Sequence, residues 1–178
     1  GSEMCIRDRL EDYEYEPPAI SLAKKSWYYD KLKTGAWLAP RNMWFIDIII
    51  HPSLGMNTRQ PFVRSSREVV GAVKERWKGI KLQGNVESNF IYATLLSKDL
   101  IPFSFIKLRP VIVPIEKTPV GYRLLDVSSL RRRGFAGIAR WLEKCETLWK
   151  ERTSEKSRER FPSILNRLDY NGLLTKQD

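Results

Sequence analysis

An α+β fold is predicted, on three observations. A long apolar and aromatic run, AWLAPRNMWFIDIII (Ala36 to Ile50), has the composition of a strand. A hairpin pattern lies between Val111 and Val127, and an apolar stripe at spacings of three and four residues occupies Gly134 to Ser157. At 178 residues and 42% hydrophobic, the chain can bury a real core as one domain or one domain with an appendage.

Taken in order, LEDYEYEPP (Leu10 to Pro18) is acidic and aromatic and ends on two prolines that stop regular structure. The next residues are basic and aromatic (Lys24, Lys25, Trp27, Tyr28, Tyr29, Lys31, Lys33) up to Thr34-Gly35, so residues 10–34 are expected to be a linker or entrance segment. In the run that follows, Pro40-Arg41-Asn42 reads as a turn. Trp44, Ile46, Ile48 and Ile50 fall on one strand face and Phe45, Asp47 and Ile49 on the other, the pattern of a central strand buried on both sides. Gln60 to Val63 is a further short strand. Ser65 or Ser66 caps a helix with Val69, Val70, Val73 and Trp77 on its apolar face, closed by Gly79. Ile80 to Leu82 is a short strand. Phe90, Ile91, Leu95 and Leu96 suggest a helix that Pro102 ends. Phe103 to Ile106 and Val111 to Val113 read as strands, with Lys98, Asp99, Lys107 and Arg109 left for a surface. Tyr122 to Val127 returns across Thr118–Gly121. Phe135, Ile138, Leu142, Cys145 and Trp149 mark the strongest helix, preceded by Arg131-Arg132-Arg133, and Pro162 opens a last helix over Ser163 to Leu168.

Lys and Arg number 31 against 21 Asp and Glu, a formal charge of +10 that favours an anionic partner. Nucleic acid is the commonest for such a domain. No run approaches 18 apolar residues, so no membrane span is expected. With one histidine (His51) and Cys145, an ordinary zinc site cannot be assembled, and neither a nucleophile elbow nor a phosphate loop is present. The remaining constellation is basic groups mixed with aromatics: Trp37, Arg41, Asn42, Arg64, Arg67, Arg131, Arg132 and Arg133, beside those of residues 24–28. Guanidinium and ammonium groups neutralise phosphates, Arg and Asn read base edges, and aromatics stack on exposed bases.

The first nine residues, GSEMCIRDR, resemble the translation of a transposon-type sequencing adaptor. Residues 1–9 are therefore expected to be an artefact, with the natural N-terminus missing. Cys145 would then be the one native cysteine, unable to form an intrachain disulfide, as suits a reducing compartment.

GAWLAPRNMWFIDI (Gly35 to Ile48) resembles the Gly-Ala-x-x-x-Pro-Arg-x-x-aromatic-Phe phrase that follows the catalytic domain of N6-adenine DNA methyltransferases. VESNFIYATLLSKDLIPF (Val86 to Phe103) is similar to their Val-Glu-x-x-aromatic stretch leading to Lys/Arg-Asp-Leu-x-Pro-Phe. RRRGFAGIARWLEKCETLW and LDYNGLLTKQ resemble their Arg-x-Gly-Phe helix and Leu-Asp-Tyr-x-x-x-Leu-Thr-x-Gln phrase. The phrases occur in the family's order from about Gly35 to Gln177. The resemblance implies an α+β fold with a mixed or antiparallel, barrel-like sheet, flanking helices and a C-terminal helical pair. It implies a target-recognition domain over residues 35–160 and the start of a truncated segment over 161–178. It also implies a prokaryotic cytoplasmic, phage-defence enzyme, with double-stranded DNA and a missing catalytic domain of the same chain as partners. S-adenosylmethionine would serve the parent enzyme and no cofactor this fragment, because the glycine-rich loop is absent and Glu16-Pro17-Pro18-Ala19 departs from the catalytic Asn/Asp-Pro-Pro-aromatic motif. The DNA-contacting residues expected on this reading are Arg41, Asn42, Lys98, Arg131, Arg132 and Arg133. A non-enzymatic RNA-binding or protein-interaction module is the competing class.

Overall fold

The computed structural model describes residues 36–53, 55–70, 73–172 and 174–175. The chain divides into two units, Gly1–Leu32 and Lys33–Asp178, and every described residue belongs to the second. The segments read as an adaptor artefact (1–9) and as a linker (10–34) lie outside the described residues.

The fold is α+β, with small antiparallel sheets flanked by helices. In the first sheet β1 (Ile46–Ile49) pairs with β2 (Phe62–Ser65), which pairs with β3 (Gln83–Asn85). β4 (Ile91–Thr94) pairs with β7 (Arg109–Ile112), β5 (Leu100–Ile101) with β6 (Ser104–Phe105), and β8 (Ile115–Thr118) with β9 (Gly121–Leu124). A bridge from Phe45 to Val111 joins the first sheet to the β4–β7 pair. The helices are α1 (Arg41–Trp44), α2 (Arg67–Val70), α3 (Val127–Arg132), α4 (Ala136–Arg152), α5 (Glu155–Arg160) and α6 (Ile164–Leu168).

The hydrophobic stripe predicted for α4 is the one it buries: Ile138, Leu142, Cys145 and Trp149 enter the core, and Trp141 Nε1 donates to the Met43 carbonyl at 2.9 Å. Burial pushes the Cys145 thiol well above its usual range, so it stays protonated and inert. Phe161, Ile164 and Leu168 belong to the same core, so packing does not divide the chain at 160/161. Ser163 caps α6, exchanging hydrogen bonds with Asn166.

Glu87 fastens α4 to the sheet. Its carboxylate is buried and accepts from Gly137 N at 2.9 Å, Ile138 N at 2.8 Å and Gln60 Nε2 at 3.0 Å. Two otherwise orphaned helical N–H groups are thereby satisfied by a negative charge at the positive end of the dipole. A Cβ at position 137 would stand 2.5 Å from the Asn85 carbonyl oxygen and 2.9 Å from Glu87 Oε2, so only glycine lets the first turn sit on β3.

Four expectations are corrected. The run from Ala36 is not one buried central strand: its first half coils into the single turn of α1. β1 is an edge of its sheet, and Ile48 and Ile50 are 38% and 65% exposed. The helix expected over Ser65–Trp77 is one turn of α2 and a separate 3-10 turn at Glu75–Trp77, because Lys74 is extended (φ −60°, ψ 152°) and three valines are poor helix formers. The helix expected over Phe90–Leu96 is a 3-10 turn at Ser88–Phe90 followed by β4, where pairing to β7 outweighs a weak helical spacing. Finally, Asp99 and Arg109 are not surface groups. Both are buried, Arg109 Nη2 donates to Asp99 Oδ1 at 2.6 Å and Nε donates to Oδ2, and Arg109 Nη1 reaches Glu68 at 2.7 Å. The Arg109 guanidinium holds the Asp99 carboxyl below the usual carboxylate range.

Candidate nucleic-acid interface

Arg41 stands at the start of α1, where Pro40 sets the entry and the chain leaves its extended path. The turn is pinned from beneath by Asn42, which is fully buried and donates from Nδ2 to the Trp77 carbonyl at 2.6 Å, while its own carbonyl accepts from Ser65 Oγ at 2.7 Å. Asn42 therefore cannot face DNA as expected; it anchors the turn that presents Arg41.

Arg41 opens onto a groove of about 470 Å³ whose lining includes Trp37, Lys74, Arg76, Trp77, Trp149, Phe161 and Arg167. The floor is aromatic: Trp77 and Trp149 stack at 5.7 Å with 12° between their planes, and Trp149 Nε1 donates to the Phe161 carbonyl at 3.1 Å. Arg167 lies with its guanidinium 4.2 Å from the Trp37 ring centre and 4.7 Å from that of Phe161. Burial among these rings, and then the charge of Arg160, lowers its proton affinity. Arg76 sits 5.9 Å from the Trp77 ring centre, and its backbone carbonyl accepts from Arg152 at 3.1 Å. The buried Thr153 Oγ, also on the lining, has no hydrogen-bond partner among the described residues.

Charge distinguishes this groove. Its lining carries four cations, Arg41, Lys74, Arg76 and Arg167, and no carboxylate. None of the four side chains makes a hydrogen bond or ion pair with a described residue. Cations without an ion-pair partner among the described residues, beside a buried aromatic floor and the exposed Trp37 ring, suit a ligand that brings phosphates and a stackable ring together.

The Arg131-Arg132-Arg133 corner is differently built. Arg131 and Arg132 form the last turn of α3, where they complement its dipole, and do not open the following helix. Arg131 pairs with Glu143 at 2.5 Å and Arg133 with Glu116 at 2.6 Å; Arg123 shares that same Glu116 carboxylate. These two guanidiniums, Arg123 first, hold Glu116 below its usual range, and hydrogen bonds from Ser129 do the same for Asp126, the cap of α3. Four arginines (123, 131, 132, 133) thus face three carboxylates (116, 126, 143), leaving one net positive charge. α4 and β8 bring Glu143 and Glu116 to Arg131 and Arg133, so two of the three arginines are paired and Arg132 forms no ion pair with a described residue.

Lys98 is exposed on the 3-10 turn Ser97–Asp99, at the root of the β5–β6 hairpin. Of the six residues expected to contact DNA, only Arg41 enters the groove. Lys74, Arg76 and Arg167 are not distinguished by sequence. The first two read as the wet face of a helix, and nothing local signals that residue 167 meets residue 37. No cluster of His, Cys, Asp or Glu fit to hold a metal occurs among the described residues, and no helix there is long and apolar enough to cross a membrane. No family model, curated protein or solved structure matches the chain.

Proposed function

We propose that this chain is the duplex-holding, target-recognition part of a site-specific adenine-N6 DNA methyltransferase. The observation that carries the reading is the groove in which four cations without an ion-pair partner among the described residues share a lining with tryptophan and phenylalanine rings. The ordered phrases noted in the sequence support the family. Arg41, Lys74 and Arg76 neutralise backbone phosphates, which supplies sequence-independent affinity and fixes the register of the duplex. Arg167, its guanidinium 4.2 Å from the Trp37 ring centre, offers N–H groups to a phosphate or a guanine. Transfer of the methyl group from S-adenosylmethionine belongs to a catalytic domain that the sequence motifs of this chain do not supply.

Fluorescence anisotropy with a labelled duplex tests this directly. Arg41→Ala, Lys74→Ala and Arg76→Ala together should weaken binding by roughly 10²- to 10³-fold, at about tenfold for each cation removed. Melting should scarcely change, since none of the three bonds to a described group through its side chain. Unlabelled duplex should compete better than single-stranded RNA of equal length. Preference for the RNA would favour the competing class instead.

A further inference from the structure

We propose that the β5–β6 hairpin is a wedge that enters duplex DNA and unstacks a base step, with Phe103 as the inserted ring. The inference rests on the duplex-holding function above. Leu100 pairs with Phe105 and Ile101 with Ser104, leaving Pro102 and Phe103 as the turn. Successive strand residues point to opposite faces, so Leu100 and Phe105 project on one side of the ribbon and Ile101 on the other. All are exposed, at 55%, 49% and 45%, and Phe103 is fully exposed at 109%. The ribbon is thus an arm with apolar groups on both sides, covered by nothing among the described residues.

The turn holds its ring outward against backbone preference. Phe103 has φ 61°, a left-handed conformation that favours glycine or asparagine in turns. The root is rigid: Ile106 N donates to the Asp99 carbonyl at 2.8 Å, and the Asp99 side chain is locked to Arg109. Lys98 and Lys107 flank that root with exposed ammonium groups, Lys107 bridging to Glu68 at 2.7 Å. The one acid between them, Asp99, is buried.

Size and charge choose the occupant. Two strands of two residues cannot supply the roughly 800 Å² per partner of a stable protein interface. A protruding Pro-Phe tip whose root carries the exposed Lys98, on a chain of charge +10, instead fits a polyanion with a gap one ring thick. Phe, Pro, Leu and Ile are the side chains that pry base steps apart.

The test uses the full chain and duplexes with 2-aminopurine at TA steps, which unstack most readily. Saturating wild-type protein should raise 2-aminopurine fluorescence severalfold. Phe103→Gly, which accepts φ 61° without strain, should fold at least as well, bind with an unchanged salt dependence and give no rise. An equal rise with the glycine variant, or binding without any rise in the wild type, overturns the wedge and leaves duplex binding standing. Failure of the wild type to bind duplex at all overturns both. A wild-type dimer that Phe103→Gly converts to monomer would make the hairpin a contact between copies and also overturn the wedge.

Discussion

Glu87→Ala is expected to cost about 3 to 5 kcal/mol of folding stability. Hydrogen bonds to a charged group contribute roughly 1.5 to 3 kcal/mol each, and a charge at a partly buried helix end adds up to about 2. Glu87 accepts three such bonds, and the contributions overlap because one carboxylate makes them all. The alanine variant leaves Gly137 N and Ile138 N buried without acceptors at the start of α4, the longest helix among the described residues. Glu87→Gln keeps an oxygen for one of them and should lose about half as much. Urea denaturation followed by circular dichroism measures both. A loss under about 1 kcal/mol for the alanine variant would mean that α4 is held by its apolar face alone.

Arg109→Leu should produce the largest loss of any single ion-pair disruption among the described residues, with a diagnostic pH dependence. In the wild type the Asp99 carboxyl lies below its ordinary value, chiefly through its hydrogen bonds to Arg109. A lowered folded value contributes stability that is complete above the unfolded value and lost as pH falls through the folded one. Wild-type stability should therefore decline below about pH 4. Glu68, Glu116 and Asp126 act in the same direction, each held low by its partners. In the leucine variant the largest lowering influence is gone, leaving burial, which raises the value, against the Leu96 N–H and Lys98, which lower it. The variant therefore loses less stability than the wild type as Asp99 takes up a proton. The wild-type advantage in denaturation midpoint should be greatest near neutral pH and shrink toward pH 4. A constant difference across that range would remove the Asp99–Arg109 pair as its cause.

The parts of the fold that are legible in sequence are those fixed by local repetition. The α4 stripe at Ile138, Leu142, Cys145 and Trp149 and the turn between β8 and β9 both follow from spacing over a few residues. What sequence does not reveal depends on pairing at a distance. FIYATLL satisfies a helical spacing as readily as a strand, and only Ile91 opposite Ile112 decides for β4. Trp77 reads as the end of a helix stripe because its stacking partner, Trp149, lies in a different element. The same limit applies to the candidate site. A run of three arginines is conspicuous in sequence, yet two of them are neutralised by Glu143 and Glu116 from other elements. The groove's cations come from positions 41, 74, 76 and 167, which no local pattern joins. Several phrases that carry the family resemblance also have structural work in this chain: Glu87 caps α4, Phe90 packs edge-on against Phe135 at 5.0 Å, and the Asp169 carboxylate accepts from Leu174 N at 2.8 Å and from the Thr175 hydroxyl at 2.6 Å.

The salt dependence of duplex binding separates the groove from the corner. Each phosphate contact adds about 0.9 to the slope of log K against log salt for B-form DNA. Replacing Arg41, Lys74 and Arg76 with alanine should make that slope shallower by roughly 2 to 3 units. Replacing Arg131, Arg132 and Arg133 should change it by about 1, because Arg131 and Arg133 already have carboxylate partners. A slope unchanged by the groove substitutions, with binding intact, would contradict the assignment of DNA to this groove.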